Sequence, residues 1–366
     1  MNVADRQATA GAGPGGGGLL APGTTAGGLT TDALLLDEHL TLRMGRRELA
    51  FPRVGEALVR VSWAGVCGSD LHVLRTGEWV AYWPATLGHE VVGVVQDCPG
   101  AEVPAGTAVV VDSRLPCRKC QACQQAAYLC ENMSWLGEGQ PGGFARHLVV
   151  PVTSLVPCPP QLEPAIAVLA EPLAVAMHAV SSLARRPENV LVLGYGPIGA
   201  LVHLELARRW AGLPVSVSEI FEPRRQLALA LGARLTASPS GPEDGVNTSV
   251  SGRPLFSLVV DTAGYPQSLL EACGGAANGG TVLVVALSFD AVTMVPAELV
   301  QRALTISGSV GFDDELEDAL VVLASHPDRY RPLITEAVLL EEAVERLAAL
   351  SSEPSAGKVL LRPWSE

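Results

Sequence analysis

Three side chains of the kinds that bind zinc stand close together early in the chain. Cys67, His89 and Glu90 offer a thiolate, an imidazole and a carboxylate within about two dozen positions. Such a set can hold a zinc ion and leave one coordination position open. Ser69 and His72, beside the thiolate, offer a hydroxyl and a second imidazole that can carry a proton away. The stretch therefore predicts metal-assisted catalysis, with another part of the chain supplying the second reactant.

Asp70 lies within the same stretch. A short carboxylate there is suited to accept the N–H of a ligating histidine, which fixes the tautomer of the imidazole and raises its basicity. Taken singly, His89 would be interpreted as a core histidine and Cys67 as a small buried apolar side chain. Their combination with two further motifs favours the metal site over these simpler interpretations.

The first of these motifs is a cluster of four cysteines. Their spacing is two, two and six intervening residues: Cys117, Cys120, Cys123 and Cys130. Four thiolates this close can surround one zinc ion tetrahedrally, with no open position, so we predict a structural site. The alternatives are an iron–sulfur cluster and reduced thiols without a metal.

The second motif is a glycine-rich turn between a strand and a helix. An apolar run leads into Gly194-Tyr195-Gly196-Pro197-Ile198-Gly199, and a helical pattern follows to Trp210. Glycines in this context let the backbone approach a pyrophosphate, and the helix N-terminus favours its negative charge. A glycine turn in an ordinary α/β domain is the simpler alternative.

An acidic residue should follow such a turn by about 20 positions. Glu219 stands there and can accept hydrogen bonds from the adenosine ribose hydroxyls. Its charge would repel a 2′-phosphate, so we predict NAD rather than NADP. Arg224 and Arg225 weaken this preference, since a nearby arginine can accommodate that phosphate.

The elements that must position these residues change in kind near Glu171. The earlier part is rich in short strands separated by Gly and Pro: 33–36, 57–61, 91–95 and 108–111. Later strands are predicted over 190–193, 215–218, 258–260, 281–285 and 358–361. Helices are predicted over 174–183, 198–210, 223–231, 267–276, 314–325 and 340–350. Strands that alternate with helices predict an α/β fold with a doubly wound parallel sheet.

Composition excludes several functional classes. Hydrophobic residues make up 48% and charged residues 17% of the 366 positions, and the net charge is −13. An acidic chain argues against nucleic-acid binding, which needs a basic surface. No apolar run reaches the roughly 18 residues of a membrane span. The first thirty residues lack a signal-peptide pattern and are Gly/Ala/Pro-rich, so we expect a disordered leader and a cytoplasmic protein.

Together these motifs resemble those of the zinc-dependent medium-chain alcohol dehydrogenase/reductase family. The similarity covers about residues 33–362, and it is greatest to the polyol branch, which includes sorbitol, butanediol and threonine dehydrogenases. The segments that carry it are Cys67–His72, Gly88–Glu90, the cysteine cluster, Gly142–Ala145, Glu171–Ala174 and Gly194–Gly199.

The resemblance implies a two-domain architecture. A GroES-like β-rich catalytic domain would comprise residues 31–179 and 309–366, with the structural zinc lobe at 113–131. A Rossmann domain would comprise residues 180–308. The active site would lie in the cleft between them, and family analogy implies a homodimer or homotetramer.

The resemblance also implies roles for single residues. The catalytic zinc would be bound by Cys67, His89 and a carboxylate from Glu90 or Glu171. The residues that match family positions contacting NAD are Gly194, Gly196, Pro197, Ile198, Gly199, Glu219, Arg224, Val285, Ala286 and Leu287.

The expected reaction is reversible oxidation of a secondary alcohol to a ketone, with hydride passing to NAD and the proton leaving through Ser69 and His72. Polar Ser113 and Arg114, with aromatic residues nearby, suit a polyol, sugar or cyclitol. Two alternatives stay open: a zinc-free quinone or enoyl reductase of the same superfamily, and a non-catalytic NAD-binding redox sensor with structural zinc only.

Overall fold

The structure, a computed structural model, describes residues 28–236, 255–350 and 352–365. Residues 1–27 of the predicted leader lie outside these ranges, and the first described strand begins at Leu29. The strands are β1 (Leu29–Leu36), β2 (Leu42–Leu49), β3 (Glu56–Gly65), β4 (Glu90–Asp97), β5 (Ala108–Val111), β6 (Arg114–Leu115), β7 (Ser134–Trp135), β8 (His147–Pro151), β9 (Leu155–Pro157), β10 (Val190–Leu193), β11 (Val215–Ser218), β12 (Arg234–Leu235), β13 (Phe256–Asp261), β14 (Ala276–Val284), β15 (Thr305–Gly308), β16 (Ile334–Leu339) and β17 (Lys358–Arg362).

The α-helices in the same ranges are α1 (Gly68–Thr76), α2 (Pro164–Ala167), α3 (Ala170–Ser181), α4 (Pro197–Arg209), α5 (Glu222–Ala230), α6 (Ser268–Gly275), α7 (Pro296–Arg302), α8 (Glu315–Ser325), α9 (Pro327–Tyr330) and α10 (Ala343–Ala349).

Six parallel strands form one sheet, in the order β12-β11-β10-β13-β14-β15. Helices connect most of its successive strands, as expected for a doubly wound sheet. Its central strands are continuous apolar runs because both faces are covered; every residue of Val190–Leu193 is buried. The order reverses at β10, so the carboxyl ends of β10 and its neighbours flank a crevice where such folds bind ligands.

The other large sheet is mostly antiparallel and brings together distant parts of the chain. Its order is β16-β17-β3-β4-β5-β9, and β8 also pairs with β3. Strand β17 pairs with β3 although the whole parallel sheet intervenes in sequence. A core of valines and leucines fills the interior of this unit, including Val61, Val91 and Leu361. The late strands therefore complete the unit that carries the predicted metal site.

Helix α3 joins the two units. Its apolar residues, such as Leu173 and Ala176, share one core with Val92 of the antiparallel sheet and Val192 of the parallel sheet. This shared core fixes the first turn of α3, where Glu171 lies, relative to both sheets.

One helical stretch, Pro164–Ser181, passes the length and composition test for a membrane span, and 72% of it is buried inside the protein. Glu171 and His178 interrupt its apolar sequence. Burial at this level is typical of the core helix of a globular protein, which is the position this stretch occupies between the sheets.

Candidate active site

Helix α1 presents the first part of the predicted site. Cys67 stands at the N-cap in an extended conformation, and its backbone N–H donates to Asp70 Oδ2 at 2.8 Å. A carboxylate at this position caps the helix start. The helix ends at Gly77, which adopts the left-handed conformation. Ser69 and His72 are three positions apart, so they share one face of the helix.

Asp70 also reaches the segment that precedes His89. Its Oδ1 accepts the N–H of Gly88 at 3.1 Å and lies 3.7 Å from Nδ1 of His89. One buried carboxylate therefore ties the backbone at Cys67 to the backbone beside His89. The predicted role of Asp70, orienting the imidazole, is compatible with this placement.

Glu90 follows at the start of β4 and lies opposite Gly65 of β3 in the antiparallel register. A Cβ atom on Gly65 would stand only 1.9 Å from Glu90 Oε2, so glycine is required there for the carboxylate to fit. Glu90 is fully buried. Its Oε2 is buried without a hydrogen-bond partner among the described residues.

The other oxygen of Glu90 has a strong partner. Nζ of Lys358, from β17, lies 2.5 Å from Glu90 Oε1 and also donates to the carbonyl oxygen of Val66 at 3.2 Å. Both charged side chains are almost completely buried. A buried carboxylate needs such compensation, because an isolated charge in a protein interior is strongly destabilising.

The donor atoms of Cys67, His89 and Glu90 all lie within 4.8 Å of one another. A thiolate, an imidazole and a carboxylate at this spacing fit zinc, which prefers these ligands. The unpartnered Oε2 of Glu90 also fits, since a bound cation would supply the interaction that the protein does not. The residues present therefore suit the predicted metal.

The electrostatics of the site favour a cation. Burial works to lower the pKa of His89, but Asp70, Cys67 and Glu171 outweigh it and raise that pKa well above the usual range. Burial raises the pKa of the Asp70 carboxyl, against the opposing effect of His89. The site thus concentrates negative charge, and without a metal the imidazole retains a proton that metal binding would release.

Glu171, the second candidate carboxylate, lies nearby but outside this group of three donors. It is buried in the first turn of α3, and the hydroxyl of Ser113 donates to its Oε1 at 3.5 Å. Burial raises the pKa of Glu171 to about 7, opposed by the charge of His89 and reinforced by that of Glu90. The geometry therefore brings Glu90, rather than Glu171, into ligand distance of the cysteine and histidine.

The four-cysteine cluster converges as the spacing predicts. The sulfurs of Cys117, Cys120, Cys123 and Cys130 lie within 4.8 Å of one another. Backbone N–H groups point at several of them, including that of Cys117 at Cys130 Sγ, 3.2 Å away. Hydrogen bonds from the backbone of Lys119 and Cys120 lower the pKa of Cys117 to about 6. Burial, by contrast, raises the pKa of Cys123 to about 12. Four sulfurs at this spacing nevertheless fit a tetrahedral zinc site, because the metal itself stabilises bound thiolates.

The glycine-rich turn lies at the carboxyl end of β10, as predicted. Helix α4 begins at Pro197, and Gly199 packs so closely on the turn that a Cβ there would stand 2.4 Å from the carbonyl oxygen of Gly194. Glu219 is buried after β11, and its carboxylate accepts three backbone N–H groups, from Tyr195, Ile220 and Phe221, at 2.7–2.8 Å.

The two arginines after Glu219 are held in different ways. Arg224 donates through Nε to the carbonyl oxygen of Ser355, and its guanidinium lies beside Gly196. Arg225 pairs with Glu222 and donates to the carbonyl oxygen of Glu219. Only Arg224 therefore faces the glycine-rich turn.

The segment predicted to line the nicotinamide follows β14 at the same edge of the sheet. The backbone N–H groups of Val285 and Ala286 donate to the carbonyl oxygen of Asp261, and Leu287 is exposed. Two residues further on, the ring of Phe289 lies 5.1 Å from that of His72 on α1. The end of the parallel sheet and the predicted metal site thus meet across one crevice.

Arg114, one of the two polar residues that suit a polyol, makes its contacts within the protein. Its guanidinium is buried, donates to Asp112 and to the carbonyl oxygen of Phe312, and lies 3.9 Å above the Phe312 ring. Ser113 is buried against Glu171. Because a bidentate ion pair occupies the N–H donors of an arginine, these donors are not available to a substrate.

Sequence reasoning missed several residues around the site. Lys358 is one of only two lysines in the chain and directly precedes an apolar run, 359–361. Glu78 and Trp79, which contact His72, gave no distinctive signal. Glu138 is half-buried within electrostatic reach of His89 and His72, and burial raises the pKa of its carboxyl. Loop residues of this kind can be placed only by tertiary structure.

A doubly wound sheet with a glycine-rich turn, joined to a β-rich unit with a Cys/His/Glu site and a four-cysteine lobe, defines the class of zinc-dependent nicotinamide dehydrogenases. Comparison with known families agrees. Residues 53–160 match the model of the alcohol dehydrogenase GroES-like domain, and residues 197–325 match that of the zinc-binding dehydrogenases.

Known relatives are similar over most of the chain. An L-threonine 3-dehydrogenase of Pyrococcus horikoshii is 34% identical over 71% of this chain and 77% of its own length. An L-galactonate-5-dehydrogenase of Escherichia coli is 30% identical over 76% of this chain and 83% of its own. A solved zinc-binding dehydrogenase from Sinorhizobium meliloti, bound to NADP, superposes with a TM-score of 0.81 at 27% identity, covering 92% and 100% of the two chains.

The chain therefore belongs to the zinc-dependent medium-chain alcohol dehydrogenase/reductase family, in its polyol branch. It is an NAD(P)-dependent oxidoreductase of the zinc alcohol dehydrogenase type. The α/β fold predicted from sequence, a GroES-like unit with a Rossmann unit, is confirmed.

Proposed function

We propose that the chain catalyses NAD-dependent oxidation of a secondary alcohol of the polyol, sugar or cyclitol type to a ketone. One observation carries the proposal: Cys67, His89 and Glu90 converge at the crevice where the end of the parallel sheet meets α1. The convergence of a metal donor set with a nucleotide-binding edge supports hydride transfer at that point.

Within this proposal, Cys67, His89 and Glu90 hold a catalytic zinc, and the four-cysteine cluster holds a second, structural zinc. Zinc bound by the first set supplies Lewis-acid stabilisation of a substrate oxygen. Glu171 is the alternative carboxylate ligand for this zinc. Asp70 keeps the ring of His89 oriented and holds together the backbone segments that carry the first two ligands.

The remaining roles belong to polar side chains of α1 and to the nucleotide-binding turn. Ser69 receives the proton of the substrate hydroxyl and His72 passes it toward solvent. The bound nicotinamide supplies the hydride acceptor. Val285, Ala286 and Leu287 would contact the nicotinamide. The pyrophosphate of the cofactor would bind at the glycine-rich turn, which contains Gly194, Gly196, Pro197, Ile198 and Gly199.

The preference for NAD rests on Glu219. Three backbone N–H groups hold its carboxylate in place at the end of β11. Oε1 accepts two of these hydrogen bonds and Oε2 accepts one, so one lone-pair position of the carboxylate stays available for a ribose hydroxyl. A 2′-phosphate would meet this fixed negative charge, which Arg224 offsets only in part because its Nε is occupied.

A panel of secondary alcohols tests the function. Purified protein would be assayed with polyols, cyclitols, sugars, L-threonine and L-galactonate, each with NAD and with NADP, by following absorbance of the reduced cofactor. We expect turnover of at least one hydroxylated substrate with NAD, and none in Cys67→Ala. Absence of turnover with every alcohol, or unchanged activity of the metal-stripped Cys67→Ala protein, would refute the proposal.

Metal content is a second, independent test. We expect two zinc ions per chain by elemental analysis, one in Cys67→Ala and one in Cys117→Ser/Cys120→Ser. A wild-type protein with a single zinc and no turnover would favour a redox sensor, and a protein with none would favour a quinone reductase.

We further propose that the enzyme is cytoplasmic and forms homodimers or homotetramers. The support for assembly lies at β15, the edge strand of the parallel sheet. Ile306 on this strand and the nearby Val295 and Val300 leave apolar side chains exposed. An unpaired apolar sheet edge commonly marks an interface.

A further inference from the structure

His72 has a carboxylate partner on the solvent side. Its Nε2 lies 2.8 Å from Oε2 of Glu78, which stands just beyond the end of α1. The side chain of His72 is 19% exposed and that of Glu78 is 52% exposed. The pair therefore extends from the interior of the crevice, at His72, to bulk water, at Glu78.

Two aromatic rings enclose the imidazole. The ring of Trp79 stacks on that of His72 with centroids 4.5 Å apart, and the ring of Phe289 lies 5.1 Å away. Trp79 and Phe289 also contact each other at 5.5 Å. Because these rings crowd the imidazole, it cannot turn over without displacing them. Trp79 lies in the segment just after α1 and Phe289 belongs to the parallel-sheet unit, so both units of the chain contribute.

The carboxylate fixes where the proton of the neutral imidazole resides. An ionised carboxylate only accepts hydrogen bonds, so Nε2 must carry the proton that bonds to Glu78. Nδ1 is then left with a free lone pair. Because the aromatic rings hinder rotation of the imidazole, this assignment of donor and acceptor nitrogen is maintained.

We propose that Glu78 is a positioning residue and proton exit for the relay, holding His72 as its Nε2-protonated tautomer and accepting the proton that leaves it. The inference rests on the proposed function, in which Ser69 hands a proton to His72. Nδ1 gains that proton, the Nε2 proton moves to a carboxylate oxygen of Glu78, and a base in solvent removes it. The imidazole then carries its proton on Nδ1, and exchange of that proton with water at the partly exposed ring restores the Nε2-protonated tautomer before the next turnover. One proton enters and one leaves, and no electrons are exchanged.

A matched pair of variants tests the exit. Glu78→Ala removes the carboxylate from a partly exposed position, where loss of folding is not expected, and Glu188→Ala removes an exposed carboxylate elsewhere. With the best alcohol from the panel, we expect kcat of Glu78→Ala to fall about tenfold, less than the hundredfold or more of a directly reacting group. Adding imidazole buffer should restore it, while Glu188→Ala should match the wild type.

The tautomer provides a readout that does not depend on turnover. The chain has seven histidines, and proton–nitrogen correlations on ring-labelled protein, assigned with His72→Asn, report which nitrogen of His72 bears the proton. We expect Nε2–H in the wild type and a mixture in Glu78→Ala.

Two results would overturn the inference: a wild-type His72 protonated on Nδ1, or a Glu78→Ala enzyme with normal kcat and no response to buffer concentration. If the wild type oxidises no alcohol, the proposed function fails on its own account. The tautomer measurement then decides whether the Glu78–His72 pair exists as described.

Discussion

At the scale of single residues, Glu90 has one cationic partner, Lys358, and would gain a second of a different kind in a bound zinc ion. Lys358 occupies Oε1, while Oε2 points at no described partner. The lysine supplies the compensation that a buried carboxylate requires in the metal-free chain, and a zinc ion would add a second positive charge. The close approach of Glu90 to Gly65 leaves little freedom for the carboxylate to swing away. The lysine and the metal would therefore share one carboxylate.

Lys358→Met tests this sharing, because it removes the charge and keeps most of the side-chain volume. We expect metal-stripped Lys358→Met to lose roughly 3 kcal/mol or more of unfolding free energy, the cost of leaving a buried carboxylate unpaired. The zinc-loaded variant should lose less. Urea unfolding of both forms measures the difference, with Glu90→Gln/Lys358→Met as the charge-free control. Equal losses with and without zinc would contradict the expectation.

A second buried polar pair lies beneath the nucleotide-binding turn. The hydroxyl of Tyr195 lies 2.7 Å from Nδ1 of His203, and both side chains are buried. Burial lowers the pKa of His203 to about 4, assisted by the charge of Arg329. The native imidazole is therefore neutral at pH values where an unfolded histidine, with a pKa near 6.5, is already protonated.

This difference predicts a pH effect on stability. Below about pH 6.5 the unfolded chain binds a proton that the native chain refuses until about pH 4, so native stability falls as the pH drops through this range. His203 alone should account for about 2 kcal/mol between pH 7 and pH 5. His203→Gln, which keeps an acceptor for Tyr195, should lack this part of the loss in urea titrations at the two pH values. An unchanged pH dependence would refute it.

At the scale of elements, the sequence predicted those helices and strands whose positions depend on residues close together in the chain. The strand at Val190–Leu193 and the helix after it were predicted almost to the residue, because apolar periodicity and the glycine turn act within short range. Helix α1 was not predicted, because cysteine is not a usual N-cap residue and the helix buries only Asp70 and Val73, which gives no apolar stripe. The partners of Glu90 could not be predicted either, because Lys358 lies 268 positions away and only tertiary pairing brings it near.

The fit of α4 on the turn gives a prediction at this scale. A methyl group at Gly199 would meet the carbonyl oxygen of Gly194 at 2.4 Å and Thr262 Oγ1 at 2.7 Å. Gly199→Ala should therefore displace the turn and weaken NADH binding by at least about tenfold, equivalent to 1.4 kcal/mol. Gly274→Ala, on α6 with open space around it, is the control. Fluorescence titration with NADH measures both, and equal affinities would refute the expectation.

At the scale of the whole molecule, two units meet through one shared core, and the proposed active site lies at the crevice between them. The described part of the chain leaves β15 as the outer edge of the parallel sheet. A parallel sheet with an exposed apolar edge invites pairing with a second copy of itself, which would extend the sheet across a two-fold axis.

Assembly through this edge can be tested by introducing charged side chains on its exposed apolar surface. Val300 is 80% exposed and Ile306 is 37% exposed. We expect wild-type protein to elute as a dimer or tetramer in size exclusion with light scattering, and Val300→Glu/Ile306→Glu to dissociate by at least one step. Val54→Glu, at an exposed valine on the other unit, should behave like the wild type. A monomeric wild type, or an assembled double variant, would contradict the proposed interface.

The pairing of β17 with β3 has a consequence for the order in which the molecule is made. Chains emerge from the ribosome from the N-terminus onward, and domains fold as units as they appear. The nucleotide-binding sheet is thus synthesised in full after Cys67 and Glu90 have emerged but before Lys358 exists to pair with that glutamate. In the nascent chain the nucleotide-binding unit would be complete while Glu90 of the proposed metal site still lacks its partner Lys358. Zinc binding before β17 pairs with β3, and zinc binding after it, would then be two orders of assembly that lead to the same site.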